Sequence, residues 1–211
     1  MRVSVFNKIL LLLCELLDPV YFKRSGNNPR MIESMLISNS KGKLLDICTG
    51  TASNIIPLAK NNNDLDIVGI DINKDALRYG NRKIRKKGLG NNIQLMRMNA
   101  ARLRFDNETF DFVTISLALH ELKDEYARKI LSEVKRVLKK DGCLLLVEWK
   151  LHEDASFIER LLFKLLKIIE NKEFTRFIKI DLYRYMEENG FGIIGEYQAK
   201  YTQVLQLEHL R

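Results

Sequence analysis

Cysteine, proline and histidine are each scarce in this 211-residue chain, at three apiece, and tryptophan occurs once. The cysteines, Cys14, Cys48 and Cys143, are odd in number, far apart and never in C-x-x-C spacing. A disulfide framework and a zinc knuckle are therefore excluded, and a reducing, cytoplasmic setting is expected. With so few prolines and only 11 glycines there is no collagen-like or low-complexity linker composition. Long apolar runs are missing as well: Ile9 to Cys14 is the first candidate, far short of the about 20 residues a membrane span needs, and Glu15 and Asp18 close it. No small-residue cleavage site follows, which argues against a secretory signal.

What is present is the composition of a packed globular domain, 46% hydrophobic and 29% charged residues. The length predicts one full domain with an appendage. Phe6, Ile9, Leu10, Leu13, Leu16 and Leu17 recur at helical spacing, so residues 1–40 read as an N-terminal helical segment docked on the core, or serving as a lid or a membrane-surface anchor. From residue 43 onward, short apolar runs alternate with helical segments, the pattern of βα units and a parallel sheet. Strands are expected at Lys43–Cys48, Asp66–Asp71, Ile93–Met98, Phe110–Leu117 and Cys143–Trp149, with helices at Thr51–Lys60, Lys74–Lys87 and Asp124–Lys139.

A richly apolar helical cap is expected over 154–186, and Asn189-Gly190 stops it. Phe191–Tyr197 and Tyr201–Leu207 then read as a closing hairpin. The predicted fold class is α/β: a Rossmann-like, doubly wound sheet, mostly parallel, with one antiparallel strand near the C-terminus.

In such a sheet, ligands bind at the carboxyl ends of the strands. The first strand ends in Asp46-Ile47-Cys48-Thr49-Gly50-Thr51-Ala52, where small residues allow a tight turn and close approach to a ligand. Asp71 ends the second strand, placed to accept hydrogen bonds from both hydroxyls of a ribose. Each also has a plainer reading. Asp46 could cap the turn, Asp71 could act as an N-cap-like acid before a helix, and Cys48 could be a small filler rather than a reactive thiol. His120-Glu121 is not an H-E-x-x-H zinc motif, because residue 124 is Asp, and His152 and His209 stand alone; no metal site is expected.

These residues resemble the class I S-adenosylmethionine-dependent methyltransferases, in particular the branch holding the demethylmenaquinone and ubiquinone C-methyltransferases, over roughly residues 41–150. Asp46 to Ala52 matches the family's acid-x-Gly-x-Gly-x-Gly turn, with Cys48 and Ala52 in place of the outer glycines. The resemblance implies S-adenosylmethionine as cofactor. It places Cys48, Thr49, Gly50 and Thr51 at the methionine portion, Asp71 at the ribose and Asn99 and Ala100 beside the adenine, with Asp46 and Ile72 also among the cofactor-binding residues. Asn99 stands where the family usually has an acid. Ser116 and Leu117 match the motif beside the transferable methyl, and His120 follows at the mouth of the substrate pocket, as a general base or as the start of a helical turn.

The apolar excess of the cap, from Phe157, Leu161 and Leu165 through Phe174 and Phe177, implies a lipophilic or aromatic small-molecule acceptor, or else a helix wedged between two core layers or a dimer contact. Arg160, Lys164, Lys167 and Lys172 would also suit peripheral contact with an anionic membrane. Two alternatives remain. Between Ala76 and Phe105 lie Arg78, Arg82, Lys83, Arg85, Lys86, Lys87, Arg97, Arg102 and Arg104 and no acid, the footprint of an RNA methyltransferase or of a solvated basic face. A cofactor-binding but catalytically idle interaction protein is the other.

Overall fold

The computed structural model describes residues 28–150, 160, 172–199 and 201–210. The helix expected over Phe6–Leu17 and most of the cap between 151 and 171 lie outside these. In chain order the described elements are α1 (Pro29–Leu36), β1 (Gly42–Ile47), α2 (Ile55–Asn61), β2 (Leu65–Asp71), α3 (Lys74–Lys86), β3 (Ile93–Arg97) and β4 (Phe110–Ser116). Then come a 3-10 turn at Leu119–Glu121, α4 (Asp124–Val137), β5 (Leu138–Trp149), α5 (Lys172–Phe177), α6 (Leu182–Glu188), β6 (Phe191–Gln198) and β7 (Thr202–His209).

The strands form one sheet in the order β3-β2-β1-β4-β5-β7-β6. β1 to β5 pair in parallel, and β7 runs antiparallel to both β5 and β6, as the hairpin reading expects. β1 leads outward to β2 and β3 on one side, while β4 and β5 build the other. The order therefore reverses between β1 and β4, and in sheets of this kind ligands bind beyond the carboxyl ends of the strands at such a point. Two apolar layers cover the faces. Ala127, Ile130, Leu131 and Val134 of α4 pack on one with Phe177, Leu182, Tyr185 and Met186; Ile37, Ile55, Leu58 and Ile84 pack on the other.

Three local differences from the sequence reading have identifiable causes. α1 falls inside the 1–40 segment read as helical but begins as a helix of its own: Asn28 caps it, its side chain accepting from Arg30 N, and Pro29 supplies a fixed φ at its first position. α4 stops at Val137 rather than Lys139, because Leu138 is extended and pairs with Phe110; the register slip between Phe110 and Phe112 absorbs Lys139–Gly142 within β5. The helical pattern expected to run unbroken to Met186 is interrupted after Phe177. Asp181 caps α6 with bonds from Tyr183 N and Arg184 N. The apolar residues on α5 and α6 are consumed by the core, so in the described part of the cap their excess is packing rather than a second, ligand-facing stripe.

Candidate active site

The turn after β1 is built from left-handed residues at alternating positions. Cys48, Gly50 and Ala52 have φ of 58°, 54° and 61°. Only Gly50 adopts this without a Cβ penalty, and the strain at the other two, about 1–2 kcal/mol each, is held by burial and by the Thr49 N to Ile70 O and Ala52 N to Thr49 O bonds. Cys48 and Ala52 therefore keep the backbone course of the glycines they replace. Gly80 of α3 lets the helix press on this turn: a Cβ there would lie 3.1 Å from the Thr51 carbonyl carbon.

Asp71, at the end of β2, ties the turn down. Its Oδ2 accepts from Gly50 N at 2.8 Å and its Oδ1 from Asn73 N at 2.7 Å. The N-cap of α3 is Asn73, whose side chain accepts from Asp75 N and Ala76 N, so the capping reading of Asp71 does not hold. Each carboxylate oxygen keeps further acceptor capacity towards a ligand hydroxyl. Ile72 follows with 63% exposure, an uncovered apolar wall. With Met98 and Asn99 it lines an open cavity of about 730 Å³, rimmed by Arg97, Arg102 and Arg104. Asn99 Oδ1 accepts from Ala101 N and from Tyr126 Oη at 2.6 Å, while Ala100 is buried and is not part of the cavity wall.

Asp46 lies below the turn, 1% exposed. Its Oδ1 accepts from Thr114 Oγ1 at 2.6 Å. Burial pushes its carboxyl up to about 6 against the opposing pull of Thr114, Thr49 and Asn54. The Cys48 thiol is pushed up to about 12, by burial first and then by Asp71, Asp46 and other acids, which makes it inert filler at neutral pH.

Across the crevice, Leu117 after β4 has a φ of 52° and donates its N–H to Val147 O, turning the chain sharply after Ser116. His120 follows in the 3-10 turn. It is 2% exposed, and its Nδ1 lies 2.7 Å from Glu148 Oε2 on β5. The other oxygen of Glu148 accepts from Leu119 N at 2.8 Å. Phe174 and Trp149 meet the imidazole edge-on, with ring centroids 5.4 and 6.4 Å away. Glu148 escaped the sequence reading; its signal was a lone acid closing the apolar run Leu144–Val147.

The basic stretch is not uniform. Lys83 turns inward to Ser53 Oγ at 2.7 Å and Thr51 Oγ1 at 3.5 Å, bracing the turn, whereas Arg82, Arg85, Lys86 and Lys87 are exposed. His209 Nε2 donates to the Leu138 carbonyl, away from the crevice. No cluster of His, Cys, Asp or Glu suited to a metal exists among the described residues.

Comparison with known proteins accords with this geometry. A methyltransferase-domain model matches residues 44–142. Demethylmenaquinone methyltransferase of Bacillus subtilis is 33% identical over 168 residues, covering 77% of this chain and 70% of that protein. Its counterpart in Staphylococcus saprophyticus is 32% identical over 174 residues, 81% of this chain and 71% of that protein. The chain belongs to the class I S-adenosylmethionine-dependent methyltransferases. Solved structures share the fold: a SAM-dependent methyltransferase from Aquifex aeolicus has a TM-score of 0.63 at 20% identity, covering 86% of this chain and 89% of that one. Mitomycin 7-O-methyltransferase has a TM-score of 0.69 at 14% identity, over 86% of this chain and 52% of that one.

The methyltransferase's own residues fit S-adenosylmethionine. The uncovered Ile72, the acceptor capacity of Asp71 and the unpartnered buried oxygen Asp46 Oδ2 offer an apolar wall, ribose acceptors and a negative charge beneath the turn. No helix among the described residues is long and apolar enough to cross a membrane.

Proposed function

We propose that the protein methylates a lipophilic or aromatic small molecule of the quinone-precursor kind, with His120 as the base. The pairing of His120 with Glu148 inside an aromatic setting carries this reading. Bound S-adenosylmethionine supplies an electrophilic methyl on a sulfonium. Asp71 would hold the ribose, Asn99, Ala100 and Ile72 the adenine, and the backbone of Cys48, Thr49, Gly50 and Thr51 the methionine end, with Ser116 and Leu117 flanking the methyl.

Glu148 fixes the imidazole by its Nδ1 side, so proton transfer runs through Nε2. An acceptor hydroxyl that loses its proton to Nε2 becomes a phenolate, whose oxygen or ring carbon is the stronger nucleophile. Glu148 then stabilises the imidazolium. Phe174 and Trp149 exclude water from the base. The names of the curated relatives support a quinone precursor as acceptor.

The test is to incubate the protein and methyl-labelled cofactor with cell extract and separate lipid, RNA, protein and small polar fractions. Label in the lipid fraction, and on a reduced alkyl-naphthoquinone added alone, supports the reading. Label in RNA would replace it with nucleic-acid methylation through the exposed basic residues of α3, and no label anywhere would favour an idle interaction protein.

A further inference from the structure

Glu33 of α1 is 0% exposed, although the reaction has no use for it. Its Oε1 accepts from Asn54 Nδ2 at 3.4 Å. Asn54 stands at the N-cap of α2 but makes no side-chain cap bond; its amide is turned to Glu33 instead. Around this pair four side-chain oxygens are buried without a hydrogen-bond partner: Glu33 Oε2, Asp46 Oδ2, Thr49 Oγ1 and Asn54 Oδ1. Thr49 can donate through its hydroxyl, but the other three are acceptors unless a carboxyl carries a proton. The Thr49 hydroxyl serves Asp46, the Asn54 amide serves Asp46 as well as Glu33, and Glu33 Oε2 is left as a buried acceptor with no donor of its own.

Donors can come from two sources. One is a proton on a carboxyl. The other is a cationic group arriving beside the turn, and the methionine end of the cofactor carries an ammonium with three N–H donors. We propose that Glu33 is a positioning residue: in the buried cluster it forms with Asn54 and Asp46 it keeps a proton in the free protein, and it gives that proton to solvent when the cofactor's ammonium binds above the cluster. The Glu33 carboxyl becomes carboxylate, and the negative charge created faces the incoming positive one. This rests on the methionine end lying at the Cys48–Thr51 turn.

The electrostatics agree in direction. Burial, and then the charge of Asp46, push the Glu33 carboxyl up to about 8, against the opposing effects of Asn54 and of Arg30 one turn earlier on α1. Asp71, on β2, adds to the negative field on Asp46. A nearby cation favours the charged form of each carboxyl, so binding must release protons, and affinity must rise with pH until the free pair is ionised.

Calorimetry in two buffers of different ionisation enthalpy reads the proton count. At pH 7.5, S-adenosylhomocysteine, which keeps the ammonium, is expected to release roughly half to one proton from the wild-type protein. 5′-Methylthioadenosine, which lacks the amino-acid portion, should bind with none. In Glu33→Gln the release on S-adenosylhomocysteine should vanish and the rise in affinity between pH 6 and 8.5 should flatten. Proton-neutral binding of S-adenosylhomocysteine to the wild type, equal release with both ligands, or undiminished release in Glu33→Gln would overturn the proposal. The two-ligand comparison decides it in the wild type alone should the variant not fold. If 5′-methylthioadenosine binds while S-adenosylhomocysteine does not, the placement of the methionine end falls, and the proposal with it.

Discussion

Glu148 holds His120 and the backbone of Leu119 at once, one carboxylate oxygen on Nδ1 at 2.7 Å and the other on the Leu119 N–H at 2.8 Å. A single side chain on β5 thus fixes both the rotamer of the imidazole and the 3-10 turn that carries it. His120→Gln keeps a polar group of similar reach but cannot take a proton, so kcat should fall by about 10²–10⁴-fold, with S-adenosylmethionine affinity within about twofold. Glu148→Gln still offers an acceptor to Leu119 N but no charge to an imidazolium, so it should lower kcat and move the acid limb of the pH–rate profile to lower pH. Steady-state kinetics over pH 6–9 with parallel cofactor titrations check both. Loss of cofactor binding or of thermal stability in step with activity would make the pair structural.

Asp71 is expected to anchor the ribose while bracing the turn through Gly50 N. Hydrogen bonds to a charged group contribute about 1.5–3 kcal/mol, so Asp71→Ala should weaken S-adenosylmethionine binding by roughly 10- to 150-fold. Calorimetry on a variant shown to be folded by circular dichroism reads this. Unchanged affinity would remove Asp71 from the ribose site.

The sheet was legible because each strand is a short apolar run closed by a polar turn, and Asp46, Gly50 and Asp71 fall where the switch of strand order needs them. The residues that escaped are those whose burial contradicts their type. On α1, Glu33 is buried while Met31 and Met35 are 55% and 71% exposed, an inversion that hydropathy periodicity reads backwards. Glu148 likewise looks like a strand end meeting water, and only the packing of Phe174 over His120 shows that it is interior. The break between α5 and α6 was signalled by Asp181, but the apolar spacing continues through it and masks the cap.

The two buried carboxyls set an unusual pH dependence. Asp46 and Glu33 bind protons more tightly folded than unfolded, since their values rise from 3.8 to about 6 and from 4.5 to about 8. Between those limits the native state holds more protons than the unfolded chain, so stability falls as pH rises, over about 4–6 for Asp46 and about 4.5–8 for Glu33. Below these windows the sign reverses: Asp111, where Lys139 and the Lys43 N–H outweigh burial, and Glu133, bonded to Arg136, are lowered and lose their stabilisation as they protonate. The ligand-free protein should therefore be most stable at the lower edge of those windows, near about pH 4–4.5. Glu33→Gln should flatten the decline between pH 6 and 8. Thermal unfolding across pH 4–9 measures it, and a melting temperature that climbs from pH 5 to 8 would contradict the assignment.

Charge reversal should divide the basic stretch by function. Lys86 and Lys87, at the exposed end of α3, have no acidic partner among the described residues, so Lys86→Glu with Lys87→Glu should leave turnover on a small-molecule acceptor within about twofold; surface substitutions of this kind usually stay within ±0.5 kcal/mol. Lys83→Glu should behave differently, because its ammonium donates to Ser53 and Thr51 beneath α3 and a carboxylate there would replace that donor by an acceptor. The turn should loosen, raising the dissociation constant for S-adenosylmethionine while the kcat at saturation changes little. Lys83→Met, which removes the charge but keeps the stem, should fall between wild type and Lys83→Glu. An RNA enzyme would show the opposite division. The Lys86 and Lys87 reversals would then cut RNA affinity and flatten its salt dependence by about one log–log unit per lost phosphate contact, and Lys83→Glu would matter no more than its neighbours.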